Sequence, residues 1–335
     1  MDLGKRIASR LEAATFERIA GVGLENAAIN RPRIDHSILE LADVPLGEGD
    51  SAVVIGAGPS LHRRDSVARL RKSGYTGTIV AVDSALGSCL RAGVVPHVVV
   101  SIDPHRERIV RWFGDPALAA APADDYFRRQ EMDPALAGDE VAANHALIAL
   151  VNAHGPRIRA AVATAAAPAV VARCQAAGIV TYWWNPMYDD YDEPDSVSRR
   201  LYEANGLPCL NGGGNVGTAA WVIAHAVLGK RRIGLIGIDF GYPPGTPYER
   251  TQYYPELREM FGERYAEAFI PVESPFVGEQ WFTDPAYYWF RSVFLEMAET
   301  AEATTVNCTE GGVLHGAAVP LVRLEDFLET LDARD

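Results

Sequence analysis

Cysteine is scarce and scattered. The 335-residue chain holds four, at Cys89, Cys174, Cys209 and Cys308, with no Cys-x-x-Cys pair, so neither a zinc site nor a disulfide framework is implied and reduced, mostly buried thiols are expected. Long apolar runs are missing too. None reaches the roughly 18 to 20 residues that a membrane span requires, and the opening Met1-Asp2-Leu3-Gly4-Lys5-Arg6 carries no secretory core; the expectation is a cytoplasmic protein with no membrane span. Bases are outnumbered, 31 against 44 acids for a net charge of -13, which sets the surface against phosphate-rich partners and makes nucleic acid an unexpected ligand. A small anion remains admissible, because a few backbone amides at a helix start hold a phosphate whatever the global charge.

What is present is the composition of a folded protein: 48% hydrophobic residues, 13 Tyr, 11 Phe and 6 Trp. Residues 1–50 read as an N-terminal helical appendage, with a helix near Lys5 to Ile19 and a Pro-containing stretch around Pro32. Short apolar runs then suit strands buried on both faces: Ser51 to Ile55, Thr78 to Val82, His97 to Ile102 and Ala146 to Val151. Helical spacing over Asp65 to Lys72 and Ser84 to Ala92 separates the first three. The rhythm continues with a strand at Gly178 to Tyr182, a helix over Asn215 to Leu228, a strand at Arg232 to Ile238, a helix over Pro285 to Ala303 and a strand at Thr304 to Asn307. Strands alternating with helices predict an α/β fold, Rossmann-like and doubly wound, with a mostly parallel sheet and helices on both faces. We place the nucleotide-binding domain at 51–315, with insertions near 116–139 and 242–278 and a C-terminal tail at 316–335.

Several constellations could carry chemistry. Gly56-Ala57-Gly58-Pro59-Ser60 follows a buried strand and precedes a helix; its glycines permit close backbone approach and Ser60 can cap the helix, leaving amides for an anion, although a structural tight turn has the same appearance. The loop lacks the third glycine of a dinucleotide fingerprint and the lysine of a Walker loop. Asp83-Ser84 and Ser101-Ile102-Asp103-Pro104-His105 end the next two strands, and carboxyl ends of parallel strands are where open α/β sheets bind ligands; each Asp could equally cap a helix. Asn211-Gly212-Gly213-Gly214-Asn215-Val216-Gly217-Thr218 is a second glycine bend running into an apolar helix. Asp239 ends a further strand, and Thr309, Glu310 and His315 follow the last one. Phenols at Tyr188 and Tyr191 leave a strand at the same presumed edge; packing is the alternative for both.

Taken in order, Val54 to Leu61, Ala81 to Ala85, Val99 to Pro104, the glycine run with Val216-Gly217-Thr218, Ile236 to Phe240 and Asn307 to Gly312 resemble the MptE-like domain family. That family includes archaeal 6-hydroxymethylpterin diphosphokinases and the motility accessory factors that glycosylate flagellin with nonulosonic acids. The Gly-x-Gly-Pro-Ser-Leu and Gly-Ile-Asp-Phe elements also look like those of bacterial sialyltransferases that use a CMP-activated donor without a metal. The resemblance implies a sialyltransferase-like transferase holding a CMP-sugar donor at the loop of Gly56, Gly58, Pro59 and Ser60 and at the turn of Gly213, Gly214, Asn215, Gly217 and Thr218, with no tightly bound cofactor and no metal; the strand-end reading adds Asp83, Ser84, Asn211, Asp239, Thr309 and Glu310 as candidate donor contacts. The acceptor would be a hydroxyl of a protein such as flagellin or of a surface glycan, and self-association into a homo-oligomer is compatible with it. In the sialyltransferases phenols help the phosphate depart, which draws attention to Tyr188 and Tyr191. Their base, a histidine, falls where this chain has Trp281-Phe282-Thr283-Asp284-Pro285, so Asp284, His315 or Asp103 would stand in. The diphosphokinases carry acids where this chain has Ser101 and Asn215 to Thr218, which ranks Mg²⁺-dependent pyrophosphoryl transfer from ATP second. A non-catalytic nucleotide-binding scaffold is the third reading.

Overall fold

The computed structural model of the chain describes residues 21–105, 109–120 and 138–332. The helix expected near Lys5 to Ile19 and most of the expected 116–139 insertion lie outside them. The described chain begins with helix α1 (residues 21–30). Then come β1 (Ser51–Ile55), α2 (Ser60–Arg63), α3 (Ser66–Ser73), β2 (Thr78–Val82), α4 (Asp83–Arg91), β3 (Val98–Ser101), α5 (Glu140–His154), β4 (Arg159–Ala163), α6 (Pro168–Ala176) and β5 (Val180–Pro186). They are followed by α7 (Val197–Asn205), β6 (Cys209–Leu210), α8 (Val216–Val222, continued by a π-helical turn to Val227), β7 (Arg232–Ile236), α9 (Tyr254–Phe261), β8 (Ile270–Ser274), β9 (Glu279–Thr283), α10 (Pro285–Thr300), β10 (Thr304–Asn307) and α11 (Leu324–Asp332).

Eight strands form one sheet in the order β10-β7-β1-β2-β3-β4-β5-β6, and every pairing in it is parallel. The expected α/β class is therefore observed. Its cause lies in the strand sequences: all five residues of β1 and all five of β2 are buried, as sheets covered on both faces demand. Across β3 to β5 the side chains alternate between two cores. Val98, Val100, Ala161, Ala163, Tyr182 and Trp184 join one cluster, while Val99, Ala160, Val162 and Trp183 join the other, the period of two that a pleated strand imposes. Neighbouring segments extend the pairing at β10 and at the part of β5 that β6 leaves open. Ser37 bridges to Trp183 of β5, and Leu321 bridges to Asn307 of β10.

Chain order and spatial order part at one place. From β1 the chain adds β2 to β6 successively to one side, then returns to lay β7 on the other side of β1. Ligands of open α/β sheets bind where the strand order reverses in this way, here between the carboxyl ends of β1 and β7.

Two expectations need correcting. Ala146 to Val151 is not a strand but the middle of α5, which buries Asn144, Leu147 and Val151 at helical spacing and is capped by Asp139, whose carboxylate accepts from Val141 N at 3.1 Å and Ala142 N at 3.0 Å. The run is rich in alanine and leucine, the strongest helix formers. The strand between β3 and β5 is instead β4, Arg-Ala-Ala-Val-Ala, whose alanines carry little β-propensity and become a strand because both faces are covered. Residues 316–332 are likewise no tail. Helix α11 buries Leu324, Phe327, Leu328 and Leu331 in the larger core, and the Phe327 ring lies where a Cβ on Gly234 of β7 would come within 2.6 Å of it.

The 242–278 insertion contributes α9 and β8, which pairs antiparallel with β9 just beyond it. Aromatic rings fasten it to the start of α10: Tyr242 stacks on Phe282 at 5.4 Å and on Tyr287 at 5.5 Å, with Tyr253 edge-on to Tyr287 at 5.7 Å.

Candidate functional site

The carboxyl ends of β1 and β7 meet so closely that neither tolerates side chains. A Cβ on Gly56 would strike the carbonyl of Gly237, and one on Gly58 would strike the Asp239 carboxylate. Asp239 reaches across, accepting from the Ser60 hydroxyl and from Ser60 N at 3.3 Å. The close approach that the early glycines permit is thus an approach to β7's own loop, and the Ser60 amide expected to face an anion faces this carboxylate. Burial pushes the Asp239 carboxyl up to about 7, against the lowering effect of its Ser60 hydrogen bonds. The next residue, Phe240, sits at φ 47°, a region costly for a bulky side chain. Thr309 closes the junction, its hydroxyl accepting from Ile238 N at 3.2 Å.

The second glycine bend lies at the same rim. Ile238 Cδ1 abuts Gly56 and comes within 3.0 Å of a Cβ placed on Gly217, so the two bends converge with the Ile238 side chain between them. Gly213 and Gly214 adopt φ 60° and 77°, conformations that glycine takes without steric cost. Asn211 Oδ1 accepts from Gly213 N at 3.0 Å. Asn215 caps α8: its Oδ1 accepts from Thr218 N at 2.9 Å, while its amide nitrogen donates to Gly213 O at 3.1 Å and to Thr218 Oγ1 at 2.8 Å. The first helical amides, at Val216 and Gly217, have no partner within α8, and the helix dipole favours negative charge there. Trp289 and Phe290 wall this bend, 2.9 Å and 2.8 Å from where a Gly214 Cβ would stand.

Next along the edge stands an acidic group. Asp83 opens α4 and is buried, its two oxygens accepting from Ser84 N at 2.8 Å and from Ser101 Oγ at 2.8 Å. Burial raises its carboxyl to about 7 against those hydrogen bonds, with the Asp103 charge adding to the rise. Asp103 is half-buried and accepts from His105 N at 2.8 Å. The Tyr188 phenol is raised by burial and then by the charge of Asp103, so it stays protonated and able to donate at neutral pH.

Helix α1 closes the edge beyond this group. Asn26 donates to Pro104 O at 2.8 Å and Ala165 O at 3.0 Å, and Asn30 donates to Thr164 O at 3.0 Å and Ala166 O at 2.8 Å. Gly23 allows the Tyr188 hydroxyl to approach the helix. Sequence reasoning missed this: Asn26 and Asn30 lie one turn apart on one helix face, but nothing local says which carbonyls they meet.

The geometry therefore assembles Gly56, Gly58, Pro59, Ser60, Asp239 and Thr309 at one junction. Asn211, Gly213, Gly214, Asn215, Gly217 and Thr218 form the adjoining bend, and Asp83, Ser84, Asp103 and Tyr188 form the acidic group. The other candidates are engaged elsewhere. Asp284 is buried as the cap of α10, accepting from Tyr287 N at 2.8 Å and from the Tyr242 hydroxyl at 3.3 Å; burial lifts it to about 7. Glu310 pairs with Arg69 at 2.5 Å and accepts from Leu324 N at 3.3 Å, which fastens α11. Tyr191 packs edge-on to Tyr202 at 6.1 Å, under the Arg199 guanidinium. His315 is lowered by burial and then by Arg291, which donates to its carbonyl at 2.9 Å.

A parallel α/β sheet with glycine bends and carboxylates at its switch point has the architecture of doubly wound open sheets, whose ligand edge is this one. The family model described as 6-hydroxymethylpterin diphosphokinase MptE-like matches residues 25–113, a segment running from α1 past β3, and the resemblance to the MptE-like family read from the motifs is borne out there. No curated protein matches the sequence. Among solved structures, "Structure of MAf glycosyltransferase from Magnetospirillum magneticum AMB-1" superposes with a TM-score of 0.52 at 16% identity, over 90% of this chain and 38% of that one. At that identity the likeness concerns the fold, and this chain spans well under half of that protein's length.

Proposed function

We propose that the chain is a glycosyltransferase that moves a nonulosonic-acid-type sugar from a CMP-activated donor to a hydroxyl acceptor, without a metal. The observation that carries this over pyrophosphoryl transfer concerns two positions where the resembling diphosphokinases have acids. Here Ser101 donates its hydroxyl to Asp83, and Asn215 donates its amide to Gly213 O and Thr218 Oγ1. Carboxylates at these positions could accept but not donate, so both side chains serve the protein's own hydrogen bonding. The similarity in fold to a Maf glycosyltransferase supports the same reading.

In this reading the donor phosphate lies against the start of α8 and Ser84, and the junction of Gly56 to Ser60 forms the floor. The acceptor oxygen attacks the anomeric carbon as the bond from that carbon to the phosphate oxygen breaks. Asp103 takes the acceptor's proton, and the Tyr188 phenol hydrogen-bonds the departing phosphate, whose charge it helps to bear. A surface glycan or a protein such as flagellin supplies the hydroxyl.

Calorimetry or thermal shift with CMP tests the reading. CMP should bind equally with and without a chelator, and a hundredfold excess over its dissociation constant should stabilise the fold by about 2.7 kcal/mol. Binding of ATP alone, lost in chelator, would transfer the assignment to the diphosphokinase. On the same footing, Tyr188→Phe should lower donor turnover by at least tenfold, roughly what one lost phosphate hydrogen bond costs, whereas Tyr191→Phe should leave it unchanged. Turnover that survives both Tyr188→Phe and Asp103→Ala would remove these residues from the mechanism.

A further inference from the structure

We propose that Trp289, beside the glycine bend of Gly213 and Gly214, is the platform on which a flat heteroaromatic ring of the ligand stacks. Exposure singles it out. The chain has six tryptophans; Trp112, Trp183, Trp184, Trp221 and Trp281 are buried, and Trp289 alone keeps part of its surface in solvent. Its neighbours on α10, Tyr287 and Phe290, pack against the larger core, whereas Trp289 joins neither core of the described residues. An indole left partly in water forgoes hydrophobic stabilisation that a ligand's ring can supply.

The rim is shaped around this ring. Gly214 takes φ 77°, and a Cβ there would come within 2.9 Å of Trp289 Cζ3 and 2.8 Å of Phe290 Cε1. Both are edge atoms, so the bend rests against the edges of the rings rather than on the indole face. Phe290 meets the indole tilted, with centroids 5.3 Å apart and planes at 58°, so no aromatic side chain among the described residues stacks flat on Trp289. Helix α10 fixes the ring at this place, since its start is held by the Asp284 cap and by the Tyr242 ring stacked on Tyr287.

Stacking on an indole is open to any flat ring and needs no charge, so it does not call on the bases that this acidic chain is short of. The proposed function seats the donor at this bend, and on that reading the ring is the cytosine of CMP. The platform itself requires only a flat heteroaromatic ring, which a nucleotide or a free pterin equally carries. The C–H face of a sugar is the competing partner for an indole, and the test separates the two.

Calorimetry on the full chain tests this with CMP, AMP, 6-hydroxymethylpterin, ribose 5-phosphate and N-acetylneuraminate. At least one of the three ring compounds should bind at a concentration where ribose 5-phosphate and the free sugar acid do not. Trp289→Leu, which keeps an apolar cover and removes the π face, should weaken that ligand at least about fivefold, the lower bound for one stacked base. Trp289→Phe should weaken it less, because a smaller ring still stacks, a rescue that a merely space-filling role would not show. Tyr288→Ala, which removes the exposed ring next along α10, should leave affinity at the parent value, and circular dichroism should show all three variants folded. A bound nucleotide should also quench tryptophan emission in the parent and less in Trp289→Phe, a readout that does not need the leucine variant. Trp289→Leu binding as tightly as the parent overturns the proposal, as does a chain that binds no ring compound, or one that binds N-acetylneuraminate in their place. Binding of AMP or the pterin without CMP, weakened by Trp289→Leu, sinks the transferase reading and leaves the platform standing.

Discussion

The contact between Asp239 and Ser60 shows how much a single side chain organises here. A carboxylate from the end of β7 rests on the amide and hydroxyl that begin α2, and Gly58 is glycine because that carboxylate occupies the space of its Cβ. Gly58→Ala should therefore destabilise the fold by about 1 to 3 kcal/mol, the usual effect of overpacking, and urea denaturation measures it; an unchanged midpoint would mean that Asp239 has room to move. Ionisation is the second consequence. Burial lifts the Asp239 carboxyl from 3.8 to about 7, so between those values the folded protein keeps a proton that the unfolded chain has released. The stability this supplies is complete below about pH 4 and is lost as pH rises toward 7. Asparagine would retain an acceptor for Ser60 without the charge. Asp239→Asn should thus lose less melting temperature between pH 5 and pH 8 than the parent, and a parallel loss in both would show that Asp239 does not titrate in that window. Asp83 and Asp284, lifted in the same direction, remain in both proteins and cancel in the comparison.

Among the elements, those with buried β-branched runs were legible from sequence: β1, β2, β3 and β7 fall within a residue or two of expectation because valine and isoleucine in short runs have few other uses. Alanine-rich segments were not legible. The apolar run at Ala146 to Val151 looks like a strand and the alanine-rich Arg159–Ala163 does not, and what decides them is a cap at Asp139 and the neighbours each finds. Helix α11 is legible in its own sequence, since Leu324, Phe327, Leu328 and Leu331 repeat at helical spacing. Its packing makes a direct test. Phe327→Ala should cost about 3 to 5 kcal/mol, as for other buried aromatics, measured by denaturant unfolding, whereas a loss below 1 kcal/mol would return the segment to the status of a tail.

At the scale of the molecule, local pattern and long-range order contributed different things. Apolar runs, turn glycines and strand-terminal acids are short-range properties, so residue order alone determined an α/β protein with its polar candidates at the carboxyl ends of strands. It also marked Asp83, Asp103 and Tyr188 as neighbours-in-waiting, though not that Ser101 would join Asp83 or that α1 would bound the group. Only tertiary structure decided that β7 returns beside β1. That pairing aims Asp239 at Ser60, brings the late glycine bend to the early one across Ile238, and leaves Asp284, Glu310, Tyr191 and His315 with other partners. The reason is sequence separation: contacts between residues about 180 positions apart, such as Ser60 and Asp239, leave no trace in local periodicity, and they form when both faces of the sheet are covered at once.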